Sequence, residues 1–93
     1  MVTIQVTPYE QMSKFIVFEL RYTHMKISDS RELGKLIKAR RKELGYTQIY
    51  LSDASGLSVS FLSDLENGKK TIELGKALLV INLLGMDVEI TRR

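Results

Sequence analysis

The chain has no cysteine and a single histidine, His24. The first absence excludes a disulfide framework and a thiolate zinc site. The second leaves any metal centre or imidazole catalysis resting on one residue, and a lone histidine is far more often a surface residue. Long apolar runs are also missing. Phe15-Ile-Val-Phe18 is followed at once by Glu19 and falls far short of the roughly 20 residues that span a bilayer. No basic region precedes an apolar one at the N-terminus, so a signal peptide is not expected. These features predict a soluble, cytoplasmic protein with no membrane partner. A phosphate loop, a nucleophile with its base, paired catalytic carboxylates and a metal cluster are likewise not found in the sequence. The expectation is a protein that is not an enzyme and needs no cofactor.

Its 93 residues suit one small domain with a modest core, for which a dimer interface would add stability. Net charge is +3 and unevenly spread. Between residues 31 and 43, Arg31, Lys35, Lys38, Arg40, Arg41 and Lys42 face only Glu32 and Glu43, a local excess of four positive charges. Lys69-Lys70 forms a second basic group. Such clusters suit a polyanion, although on charge alone a solvated helix face is the commoner explanation.

Thr7-Pro-Tyr-Glu10 is a capping box followed by Met12, Phe15, Ile16 and Leu20 at helical spacing. This predicts a helix, with a strand over Phe15–Tyr22 as the alternative. Met1–Val6 reads as a short strand or extended arm. Asp29 or Ser30 caps a helix running to Leu44, with Leu33, Leu36, Ile37 and Leu44 as its buried face. Thr47 caps a second helix, Gln48 to Ser55. Ser58 caps a third, Val59 to about Glu66, closed by Asn67-Gly68. A fourth begins at Thr71 or Glu73 and ends at Leu84, with Leu74, Ala77, Leu78, Ile81 and Leu84 at core spacing. Met86 to Thr91 alternates apolar and polar residues with period two, the pattern of a half-buried strand.

Between the second and third helices lies Gly56-Leu57-Ser58. Gly56 tolerates positive φ, Leu57 can plug the space between the helices, Ser58 caps the next helix, and Ala54 is small enough for close approach. Together, at this spacing, these features predict a helix-turn-helix.

Gly45-Tyr-Thr-Gln48, Leu51-Ser52, Gly56-Leu-Ser58, Leu62-Ser63 and Leu65-Glu-Asn-Gly68 resemble the lambda-repressor-like (Xre/Cro-type) helix-turn-helix proteins. The similarity runs from about Leu33 to Gly85. It implies a mainly α fold over residues 29–93 that binds double-stranded DNA as a homodimer on an operator with two half-sites. Residues 1–28 lie outside the match and read as an N-terminal extension. The family has five helices. Here a terminal strand takes the place of the fifth, which resembles the HipB-type antitoxins, whose C-terminal strands pair across the dimer. That narrower resemblance implies a HipA-like kinase toxin as partner and repression of the chain's own operon. The alternatives are a stand-alone regulator and an interaction module without DNA binding.

The resemblance assigns roles to particular residues. Ser58, Val59 and Ser60 stand at the groove-entering end of the third helix, with Ser63 one turn on. Val59 has only a methyl surface and suits a thymine methyl group. Gln48 bridges a phosphate and the third helix or reaches a base, and Thr47 caps its helix and faces a phosphate. Arg40, Lys35, Lys38, Asn67, Lys69 and Lys70 are phosphate candidates. Glu66 is expected to pair with Arg41 in a partly buried structural ion pair. Asp64 is expected to pair with a cation such as Lys69, and Phe61 to pack along the domain edge or beside a sugar. The fourth helix also carries Leu79, Val80 and Leu83 outside its core spacing, and a helix apolar on most sides must be covered. Leu79, Val80, Leu83, Val88 and Ile90 are therefore the expected dimer interface, with an intermolecular two-stranded sheet. The alternative cover is residues 12–20 of the same chain.

Overall fold

A computed structural model describes residues 2–6 and 25–93. The helix expected after Thr7 lies outside the described residues. The order of elements is β1 (Val2–Val6), β2 (Met25–Ile27), α1 (Ser30–Glu43), α2 (Gln48–Ser55), α3 (Val59–Glu66), α4 (Leu74–Leu83) and β3 (Met86–Ile90). Among the described residues the architecture is mainly α, with four helices and a three-stranded sheet, and no helix is long and apolar enough to cross a membrane.

Local chemistry sets the helix ends. Asp29 caps α1 by accepting the Glu32 N–H at 2.8 Å, while the Glu32 carboxylate accepts the Ser28 N–H at 2.7 Å. One of the donors that a helix start leaves unsatisfied is thereby covered, and the second bond fixes the chain just before the cap. Arg40, Arg41 and Lys42 occupy the last turn of α1, where cations oppose the negative end of the helix dipole.

Leu36 and Ile37 of α1, Leu51 of α2, Leu62 and Leu65 of α3, Ala77, Val80 and Ile81 of α4, Leu84 and Met86 form the buried core. Burial of such side chains contributes about 1.5–3 kcal/mol each. The structure corrects the phase expected for α4. Its inward stripe is Ala77, Val80, Ile81 and Leu84, while Leu74 and Leu78 are exposed. Both sets satisfy helical spacing, since the helix is apolar nearly all round, and packing decides between them. Val80 is fully buried in its own domain, at 0% exposure, so it is removed from the expected dimer interface.

α1 and α3 approach more closely than side chains normally allow. A Cβ at Gly34 would lie 2.6 Å from the carbonyl oxygens of both Leu65 and Glu66. Just beyond α3, Gly68 has φ +80°, and a Cβ there would lie 2.7 Å from Arg31 Cα. Ser30 Oγ completes the contact by donating to the Gly68 carbonyl at 2.8 Å.

The sheet has the order β2-β1-β3, antiparallel throughout. Val2 pairs with Ile27 on one side and Ile90 on the other, and Ile4 pairs with Met25 and Val88. β2 was not anticipated, because three residues are too few to show a period. β3 buries Met86 and half-buries Val88, with Asp87 and Glu89 outward. β3 hydrogen-bonds along one edge to β1 of its own chain and forms one border of the sheet, so the expected intermolecular pairing would use its outer edge.

The close approach gives a direct test. Gly34→Ala should lower stability by about 1–3 kcal/mol, the range for overpacking a fixed interior. Gly75→Ala, where a Cβ meets nothing within 4 Å, should be neutral or stabilising by up to about 1 kcal/mol from helix propensity. Thermal melts of the two variants check both signs.

Candidate nucleic-acid interface

α2 and α3 are joined by a turn whose backbone is held from both sides. Thr47 Oγ1 accepts the Tyr50 N–H at 3.0 Å and Ser58 Oγ accepts the Phe61 N–H at 3.0 Å, so each helix begins on a side-chain cap. Gly56 takes φ +76°, a conformation that costs glycine little and other residues about 1–2 kcal/mol. Ser52 Oγ donates to the Leu57 carbonyl, and Ser55 Oγ accepts the Leu57 N–H at 3.1 Å. Leu57 is half-buried against the core. These bonds leave α3 little freedom to swing against α2.

A second fixing point lies at the far end of α3. Arg41 Nε donates to Glu66 Oε2 at 2.6 Å and Nη2 donates to Oε1 at 3.0 Å. Arg41 Nη1 donates to the Tyr46 carbonyl at 2.8 Å, and Gln48 Nε2 donates to Glu66 Oε1 at 3.1 Å. One carboxylate thus gathers α1, α2 and the end of α3, while the arginine secures the loop before α2. Glu66 is only 7% exposed, so these donors take the place of the water its carboxylate gives up on burial. Breaking one partner of such a buried pair typically costs about 3–5 kcal/mol.

The same bond determines what Gln48 can offer. Its amide N–H is committed to Glu66, and an amide that spends a donor inward has its acceptor oxygen and remaining donor for other partners. Gln48 is half-buried at the first position of α2.

Ser58, Val59 and Ser60 are exposed at the start of α3. Ser63 is half-buried, and its Oγ accepts from Asn67 Nδ2 at 3.4 Å. Asn67, Lys69 and Lys70 are exposed beyond α3, as are Lys35 and Lys38 on α1. Lys69 Nζ lies 3.4 Å from Asp64 Oδ2 with both groups about half exposed, a pair worth at most about 1 kcal/mol and easily surrendered to a phosphate.

Arg40 is a correction. It was a phosphate candidate, but it is 1% exposed, and its Nε donates to the Leu84 carbonyl at 2.8 Å. It ties the end of α1 to the C-cap of α4. Arg40 and Arg41 are adjacent, so they point about 100° apart around the helix. Both are directed into the protein, where the run of basic residues suggested a solvated face.

Several contributors escaped the sequence reading. The Tyr46 carbonyl has no side-chain signal. Gly34 had one, a glycine inside a helical pattern, which costs stability and usually marks close packing. Tyr46 and Tyr50 rings lie 4.7 Å apart between centroids, tilted by 39°, next to an exposed Ile49. That cluster follows from the i, i+4 spacing across the start of α2.

Comparison with known proteins agrees with this geometry. A helix-turn-helix family model matches residues 37–90, which includes all of α2, the turn and α3. The chain is similar to an uncharacterized HTH-type transcriptional regulator, y4mF, of Sinorhizobium fredii (strain NBRC 101917 / NGR234), at 35% identity over 65 residues, covering 70% of this chain and 86% of that protein. It is also similar to the ImmF control region 10 kDa protein of Bacillus phage phi105, at 41% identity over 58 residues, covering 59% of this chain and 64% of that protein.

Arg41→Leu should lower the melting temperature by an amount corresponding to about 3–5 kcal/mol and weaken DNA binding with it. An unchanged melting temperature would contradict the role given to the pair. Val59→Ala should leave melting unchanged while reducing the preference for a selected duplex over a random one, measured by competition in gel shifts.

Proposed function

The chain belongs to the helix-turn-helix family of lambda-repressor-like transcriptional regulators, and on that premise we propose that it is a sequence-specific repressor acting as a homodimer. The observation that carries the reading is the doubly fixed α3, with Ser58, Val59 and Ser60 exposed at the end that the turn presents. In a helix-turn-helix this end enters the major groove. Val59 offers a methyl surface to thymine, and the serine hydroxyls accept or donate to base edges with little discrimination. Gln48, Thr47 and Ser63 flank these readers. Lys35, Lys38, Asn67, Lys69 and Lys70 supply the phosphate grip, which sets most of the affinity and makes it salt-dependent.

The dimer reading rests on exposed apolar surface. Leu79 and Leu83 are each 42% exposed on the outer side of α4, and Ile90 is 77% exposed at the end of β3. A groove of about 630 Å³ runs between α4 and the sheet beside them, bordered by Leu33, Leu74, Leu78, Val88 and Ile90. Surface of this kind on so small a chain marks an interaction site, and a second copy would bring two groove-entering helices to two half-sites.

A finer reading makes the chain the antitoxin of a HipA-like kinase that also represses its own operon. It is supported by the segment "LLGMDVEITRR", whose Met86–Ile90 form a strand directly after the last helix. A stand-alone regulator is the second reading, favoured by the likeness to the phage control-region protein. A kinase-like reading frame beside the gene, and a stable complex of its product with this chain, would select the antitoxin.

Size-exclusion chromatography with light scattering tests the dimer. The full chain should elute at about twice 10.6 kDa, and Leu79→Asp with Leu83→Asp should elute at the single-chain mass while keeping its helical circular dichroism. A monomeric wild type that still shifts a selected palindromic duplex as one subunit would overturn the dimeric reading.

A further inference from the structure

Phe61 and Lys76 have no part in the interface described above, yet they meet beside it. Phe61 is the third residue of α3, in the same turn as Val59 and Ser60, and its ring is half-buried. Lys76 stands in the first turn of α4. Its Nζ lies 5.9 Å from the centre of the Phe61 ring and 3.2 Å from Glu73 Oε2. The lysine side chain remains about half exposed. A flexible four-carbon arm is thus drawn to one place by two weak attractions, the ring quadrupole and an i, i+3 carboxylate. Neither attraction is strong in water, and a phosphate oxygen competes with both.

The position of the ammonium is what gives it meaning. A helix N-terminus that enters the major groove has a sugar-phosphate backbone on either side of its first turn. A cation held against the third residue of that turn stands where one of these strands passes. We infer that Lys76 is a phosphate-contact residue of the DNA complex, and that Phe61 is its positioning residue. On binding, the ammonium exchanges Glu73 for a phosphate oxygen while the ring keeps the arm beside α3. This rests on the reading of α3 as the groove-entering helix.

The test is equilibrium binding of the full chain to two fluorescent duplexes of about 30 base pairs, one random and one selected for tight binding. Affinity is followed from about 50 to about 200 mM salt. Loss of one phosphate contact should make the plot of log affinity against log salt shallower by about 0.9, equivalent to about eightfold weaker binding at 0.1 M salt. Lys76→Ala should show this change on both duplexes alike, because a phosphate contact carries no sequence information. Lys76→Arg should retain the wild-type slope. Phe61→Leu should weaken binding less, and Lys76→Ala should cost less in that background than in the wild type, the coupling expected if the ring positions the cation. A Lys76→Ala slope equal to that of the wild type overturns the inference while leaving the DNA-binding reading intact. A wild type that binds neither duplex overturns both.

Discussion

The structure depends on the carboxylate of Glu66. It accepts from two nitrogens of Arg41 and from the amide of Gln48, so three helices are referred to one buried group. Taking two charges out of water costs several kcal/mol per ion, and the pair recovers this only with good geometry and further hydrogen bonds. Both conditions hold here. The arginine is bidentate, its third nitrogen donates to the Tyr46 carbonyl, and the glutamine satisfies another lone pair. The net stability of such an arrangement is small compared with the cost of breaking it. What it provides is position: the end of α3 has one place relative to α1 and α2. Gly34 and Gly68 fit this constraint, since only hydrogen at those positions lets α1 come within reach of the chain around Glu66.

The interface inherits that rigidity. The turn is bonded on both sides at one end of α3 and the ion pair fixes the other, so in the proposed DNA complex short side chains suffice at the reading end. Valine and serine lose little conformational freedom when they meet a base, whereas long polar arms lose more. Their discrimination is weaker in return, and the proposed dimer would draw its specificity from operator shape and the spacing of half-sites. The acids of α3 do not oppose this arrangement. Glu66 is turned inward, and Asp64 is engaged with Lys69. With Arg40 committed to the Leu84 carbonyl, the proposed phosphate grip is left to lysines, compact charges without the fork geometry of arginine.

Legibility in the sequence tracked the range of the interaction. Thr47, Ser58 and Gly56 act on neighbours one to three residues away, and the bounds of α2 and α3 could be read from them. Leu36 and Ile37 were legible as core because α1 carries its apolar residues on one face. α4 has apolar residues almost all round, so periodicity could not choose between Leu78 and Val80. The choice falls to the shape of the surrounding core. Arg40 and Arg41 posed the same difficulty. Adjacent in sequence and identical in chemistry, they differ only in which buried acceptor, a carboxylate or the Leu84 carbonyl, each can reach. The pairing of β3 with β1 joins residues eighty or more positions apart, and nothing local announces it.

The Glu66 cluster positions α2 and α3 rather than merely stabilising them. Replacing both partners, Arg41→Met with Glu66→Leu, separates the two roles, because an apolar pair of similar size removes the buried charges together. If position is the main role, the double variant regains most of the melting temperature lost by either single change. It also stays well below wild type in affinity for a selected duplex, since Gln48 and the end of α3 lose their common anchor. A double variant that melts like the wild type and binds that duplex with undiminished affinity would contradict that role.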